Sequence, residues 1–164
     1  MSNAAYYSLL NSGELTGDVI GAVLATPTNV ITGAATCTRD VHAGRMNVIN
    51  AAAGCAITLP NATGTGSVYR FMVGTTITSN STTIKVNNAT DVMSGRAYVI
   101  SDNTAAVLGY ATAASDDTIT LNGTTLGGYA GDVIEITDAI AGTFLVELHT
   151  KATGTEATPF SATV

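Results

Sequence analysis

Only two imidazoles occur in the 164-residue chain, His42 and His149, and either would have to serve as base for nucleophilic hydrolysis by a serine, threonine or cysteine. His42 falls in an expected turn and His149 closes an expected strand. Neither lies in a nucleophile-elbow motif, so both read as structural residues. Asp116–Asp117 is the one adjacent acidic pair. On a strand, neighbours point to opposite faces and could not share a glycosidic bond. In a turn, aspartates are expected for backbone hydrogen bonding alone. The oxygen-rich stretches Ser101–Thr104 and Ser115–Asp117 offer hard ligands for calcium, but without EF-hand spacing.

The glycine runs Gly64–Gly66 and Gly123–Gly131 could suggest phosphate cradles. A phosphate loop needs a helix after its strand, whereas strands are expected on both sides here, so turns are the better reading. Cys37 and Cys55 match no zinc or thioredoxin spacing and read as free thiols, able to pair only in an oxidising compartment. Asn-x-Ser/Thr triplets at Asn61, Asn80, Asn88 and Asn122 are what a threonine-rich chain yields by chance. These residues predict no enzyme, no cofactor and no metal centre.

The elements that would position such residues are short strands. Threonine, valine and isoleucine suit a pleated surface, and glycine, asparagine and aspartate supply turns between them. Strands are expected at 36–41, 45–50, 55–59, 67–73, 82–86, 96–100, 106–112, 118–121, 132–137 and 143–149. In the last, Phe144, Val146 and Leu148 share one face while Leu145 and Glu147 share the other. In 67–73, Tyr69, Phe71 and Val73 oppose Val68, Arg70 and Met72. The pattern predicts an all-β fold, an antiparallel β-sandwich (jelly-roll-like) or a β-barrel. The nearest helical period, Glu14 to Ala25, is interrupted by Gly17 and Gly21, and a short helix there stays open.

Three segments are expected: an N-terminal arm over 1–35, a β-sandwich domain over 36–150 and an extended tail over 151–164. The arm carries Tyr6, Tyr7, Leu9, Leu10, Val19, Ile20, Val23 and Leu24 with few charges. So apolar a segment should be covered, by its own domain or by a neighbour.

Charged residues are only 11% of the chain against 46% hydrophobic, a balance opposite to that of disordered chains. Aromatics are 5% and tryptophan is absent, so the core lacks large anchors and gains by packing against copies or partners. The net charge is −6, and the six basic residues are scattered, which argues against nucleic acid as a partner. No run of 18 apolar residues predicts a membrane span. The first residues carry no positive charge ahead of an apolar core, which predicts synthesis in a bacterial cytoplasm without a secretory leader.

One phrase carries a resemblance. Residues 48–73 contain Ile57-Thr-Leu-Pro60, then Gly64-Thr-Gly66, then Tyr69-Arg-Phe71. This resembles a phrase in structural proteins of tailed bacteriophages, particularly of marine hosts. The stretches Gly131–Thr137, Gly142–Phe144 and Gly154–Phe160 are similar to their C-terminal end, although those proteins often have tryptophan where Phe144 stands. The resemblance implies a virion component. The leading expectation is a capsid decoration (cement) protein on the outer surface of the head, its partners the major capsid protein and its own copies in a homotrimer. The apolar arm residues are then the candidate capsid or subunit contacts. The other expectation is a head or tail fibre or receptor-binding module, with Tyr110, Asn122 and Tyr129 on a candidate outward loop. A third, a polysaccharide depolymerase, lacks a paired acid site. Taken by itself, the same phrase predicts a β-hairpin-like unit: proline ends one strand, glycines turn the chain, and the aromatic strand returns.

Overall fold

The computed structural model describes residues 28–103 and 106–164. The chain begins by alternating between two sheets. Strand β1 (Asn29–Ile31) lies in the larger sheet and β2 (Ala35–Thr36) in the smaller; β3 (Met46–Ile49) returns to the larger and β4 (Ala56–Thr58) to the smaller; β5 (Val68–Val73) and β6 (Thr82–Lys85) repeat the step. Each strand therefore pairs with the strand two steps away and in the same direction. β1, β3 and β5 are mutually parallel, and so are β2, β4 and β6.

The second half is built largely of antiparallel pairs. β7 (Val92–Ser101) pairs with β8 (Val107–Ala111), and β10 (Val133–Ile140) with β11 (Thr143–Ala152). The β10–β11 hairpin turns at Gly142, whose φ of +80° needs a residue without a Cβ. β9 (Thr118–Leu121) joins the smaller sheet against β6, and β12 (Phe160–Ser161) closes that sheet against β9. The orders are β1-β3-β5-β10-β11-β7-β8 and β12-β9-β6-β4-β2.

The all-β sandwich expected from the sequence is present, and neither sheet closes into a barrel. The strand pairing is mixed rather than antiparallel, because successive strands cross between layers instead of folding back within one. The same crossing replaces the expected hairpin. The Ile57–Pro60 strand and the Tyr69–Phe71 strand lie in different sheets, and the Gly64–Gly66 turn spans the gap between them.

Alternation decides the core. Tyr69, Phe71 and Val73 of β5 and Phe144, Val146 and Leu148 of β11 are buried against Ile57, Ile84 and Ile119 of the facing sheet. The expected strand at 36–41 is an exception. Only Ala35–Thr36 pair, and Arg39–His42 form one helical turn, α1. Residues 38–41 are all exposed, so no buried face holds them extended. The turn is anchored instead by Asn47, fully buried, whose Nδ2 donates to the His42 carbonyl at 2.9 Å and to the Arg70 carbonyl at 3.0 Å.

The segment boundaries also move. Asn29–Ile31 and Ala35, expected in the arm, belong to the two sheets. At the other end β11 runs on to Ala152, and Phe160, the first residue of β12, is buried. No helix of the described residues is long and apolar enough to cross a membrane.

Candidate functional site

Five buried aspartates, among them the adjacent pair Asp116–Asp117, are engaged in holding loops. Asp138 Oδ1 accepts from the Thr63 and Gly64 amides at 2.9 and 2.7 Å. Its Oδ2 accepts from the Thr65 amide at 3.0 Å and from Thr65 Oγ1 at 2.7 Å. Gly64 and Gly66, at φ of +73° and +71°, turn these amides inward, so the glycine loop cradles an anion, and the anion is the protein's own. Burial pushes the Asp138 carboxyl up, but the donors of Thr65, Gly64 and Thr63 outweigh it and hold it below the usual carboxylate range.

Asp91 pins the same crossover one residue earlier, accepting from the Ala62 amide at 2.8 Å. Asp116 accepts from the Ala113 amide at 2.8 Å. Asp117 accepts from Thr118 Oγ1 and from the Thr163 and Val164 amides, so it fastens the C-terminal residues. Burial pushes Asp117 up, while those donors and Lys85 bring it below its ordinary value. The adjacent pair therefore serves two separate loops and makes no acid–base dyad. Asp132 accepts from the Gly128, Tyr129 and Lys151 amides, yet burial prevails and its carboxyl is raised. Among the described residues no cluster of three His, Cys, Asp or Glu side chains is placed to hold a metal ion.

His42 is buried, not at the surface, and its Nδ1 accepts from the Thr38 amide at 3.0 Å. His149 lies on the outer face of β11. Its ring stacks on Tyr98 at 5.3 Å between centroids, and Nε2 meets Glu147 Oε1 at 3.0 Å. Both partners of that pair are more than half exposed, and no hydroxyl or thiol stands at the ring among the described hydrogen bonds. Cys37 is buried and burial pushes its thiol up to about 12; burial also raises Cys55, against the hydrogen bond from Thr82. Both are unpaired. A thiol at 12 instead of 9 carries about a thousandfold less thiolate near pH 8. Native Cys37 should therefore resist a disulfide reagent and react at once in denaturant, with two thiols counted only after unfolding.

The remaining surface is the outer face of the seven-stranded sheet. The registers align one transverse row across every strand: Val30, Val48, Met72, Val133, His149, Tyr98 and Gly109. Only the histidine interrupts its apolar character, and one face of its exposed ring stacks on Tyr98. The next row reads Met46, Arg70, Glu135, Glu147, Arg96 and Ala111. Glu135 and Glu147 stand directly opposite each other, a repulsive placement on a sheet. Arg70 relieves it by binding Glu135 at 2.7 Å, and His149 lies beside Glu147. Ile100 and Val107, 57% and 63% exposed, continue the apolar surface towards β8. They rim a groove of about 330 Å³ with Tyr98, His149 and Lys151.

The residues expected on an outward loop separate. Tyr110 is in β8, not in a loop, and its side chain packs half-buried against the core beside Leu108. Asn122 and Tyr129 share the β9–β10 loop. Asn122 Oδ1 accepts from the Thr124 and Leu126 amides at 2.9 and 3.0 Å, which shapes the loop from within. Tyr129 is half-buried, its hydroxyl 3.0 Å from Thr153 Oγ1 and its ring under the Lys151 ammonium at 5.3 Å. The arm residues Tyr6, Tyr7, Leu9, Leu10, Val19, Ile20, Val23 and Leu24 lie outside the described residues. The outer-face rows escaped sequence reasoning because they exist only once the register of six strand pairs is fixed.

No known protein family, curated protein or solved structure matches the chain.

Proposed function

We propose that the chain is a structural, non-catalytic component of a tailed-bacteriophage virion: a capsid decoration protein that binds the outer surface of the head and cements the shell. The observation that supports this reading is the outer face of the seven-stranded sheet, where an apolar row spans the sheet beside a row carrying both signs of charge. An apolar patch rimmed by polar residues is the surface expected of a protein–protein contact. It is carried on a sheet whose crossover loops are tied down by buried aspartates, so little ordering cost attends its use.

The partners in this reading are the major capsid protein and further copies of the chain, three to a node as the phage resemblance implies. Stabilisation would come from many repeated weak contacts. Quantitative mass spectrometry of the particle tests it. A ratio near one copy per major capsid protein is the expected result. A ratio of a few per cent would transfer the chain to a fibre, spike or tail part, and its absence from particles would overturn the virion reading.

A further inference from the structure

Among the described residues four strand edges end the two sheets, and three of them are short: β1 has three residues, β2 and β12 two each. The fourth, β8, has five residues, Val107-Leu-Gly-Tyr-Ala111. No charged residue occurs between Asp102 and Asp116, and no proline interrupts the strand. Natural edges are usually blunted by charge, proline, a bulge or brevity, and β8 has none of these.

Its hydrogen-bonding phase can be read from its ends. The Ser101 amide donates to the Ala106 carbonyl at 3.1 Å, and the Thr112 amide to the Gly95 carbonyl at 3.1 Å. Even-numbered residues therefore face β7. Val107, Gly109 and Ala111 turn their N–H and C=O groups to the side away from β7, where no described residue pairs with them. All three are exposed, and a Cβ on Gly109 would meet nothing within 4 Å.

We infer that β8 pairs antiparallel with β8 of a second copy about a two-fold axis at Gly109, which joins the two larger sheets into one. The strand is complementary to itself in this register. Gly109 meets its own counterpart. Val107 lies opposite Ala111 of the second copy on the outer face, and Leu108 lies opposite its Tyr110 on the inner face. Leu108 and Tyr110 are only half-buried in the single chain, so the pairing covers apolar surface that one copy leaves wet. The free groups of the odd-numbered residues supply up to about six backbone hydrogen bonds. No charge faces a charge across the seam: Arg96, beside Ala111, is in line with Val107 and then Ile100 of the second copy. Tyr98, directly across from Gly109, places a ring beside the bare glycine on each side of the axis. An isologous contact has two-fold symmetry, so it can link one three-copy node to the next as readily as two single chains.

Sedimentation velocity on the full chain, free of any shell, tests this separately from the proposed function. The wild type should sediment as an even multiple of the 16.5 kDa chain. Val107→Lys, which puts an ammonium on an exposed outer position, should halve that mass, keep a cooperative melting transition and abolish the concentration dependence of its midpoint. Gly109→Pro, which removes an amide that β7 does not use, should do the same. In hydrogen exchange, the amides of Val107, Gly109 and Ala111 should be protected in the wild type and lose that protection in Val107→Lys. A wild type that stays monomeric at high concentration overturns the inference. So does a mass unmoved by both substitutions, and so does protection of these amides in a monomer, which would mean that another segment of the same chain covers the edge.

Discussion

Asp138→Ala should be among the more damaging single substitutions in this protein, lowering stability by about 2–3 kcal/mol. The side chain is 3% exposed and receives the amides of Thr63, Gly64 and Thr65 together with the Thr65 hydroxyl. Removing it takes four hydrogen bonds to a charged acceptor from a loop that spans the two sheets. Thr63, Gly64 and Thr65 are exposed, so water replaces part of what is lost and the remainder is the order of the loop. For a domain of this size the loss corresponds to a fall in melting temperature of about 5–10 °C. Asp138→Asn keeps the shape but turns an N–H₂ towards amide donors, so it should also destabilise.

The pH dependence has a definite sign. Asp138 and Asp117 have folded-state values below the unfolded value of about 3.9. Their contribution is therefore complete above that value and is lost as pH falls through the depressed folded values. Asp132 is raised, so folding disfavours its charged form, and its cost is relieved rather than incurred as pH falls. Denaturant midpoints should consequently drop below pH 4 in the wild type and drop less steeply in Asp138→Asn. Asp132→Asn should cost less than Asp138→Asn at pH 7, and the gap should narrow at pH 3. Equal costs at both pH values would show that the loop, not the charge on Asp138, sets the effect.

The Asp138 cradle also marks where the sequence stops being legible. Alternation identified the buried faces of β5 and β11 residue by residue, because period two is written in the order of Tyr69, Phe71 and Val73 or of Phe144, Val146 and Leu148. It also fixed the class of fold. Alternation says which face is buried but not which sheet owns the strand, so the zigzag of β1 to β6 between layers was invisible. Pro60 and the two glycines of Gly64–Gly66 read as a hairpin turn, since a crossover and a hairpin use the same turn residues. What distinguishes them is an aspartate 73 residues away from Thr65, and nothing local announces that partner. Tyr110 lies inside the expected strand 106–112, and only its place on an outward loop fails, for a related reason. Gly109 breaks the alternation around it, and only the pairing of Ala97 with Tyr110 shows that its ring faces inward. The outer-face rows lie further still from the sequence. Their members are single residues from strands far apart, and Val30 or Met72 means nothing until the registers bring them into line.

Gly95→Ala carries the second large expected effect, and it concerns backbone contact where Asp138 concerns charge. Gly95 sits within β7, paired with Val146 in the parallel β7–β11 ladder in the interior of the larger sheet. A Cβ built there would stand 1.8 Å from the Val146 carbonyl oxygen and 2.8 Å from its carbon. Those atoms belong to a backbone bonded on both sides, so they cannot rotate away as a side chain would. The two ten-residue strands must separate or shear, which opens the packing beneath Phe144 and Met93. We expect a loss of about 3–5 kcal/mol, above the usual range for adding one methyl group to a core. Gly33→Ala provides the control. A Cβ there meets nothing within 4 Å and its φ is ordinary. That substitution should fall within about 0.5 kcal/mol of neutral, or stabilise slightly by restricting the unfolded chain. Urea titrations of the pair decide the matter. A Gly95→Ala midpoint close to that of Gly33→Ala would mean that β7 and β11 are not held in this register, and with them would go the alignment of His149 with Tyr98 and of Glu147 with Arg96 on which the outer face depends.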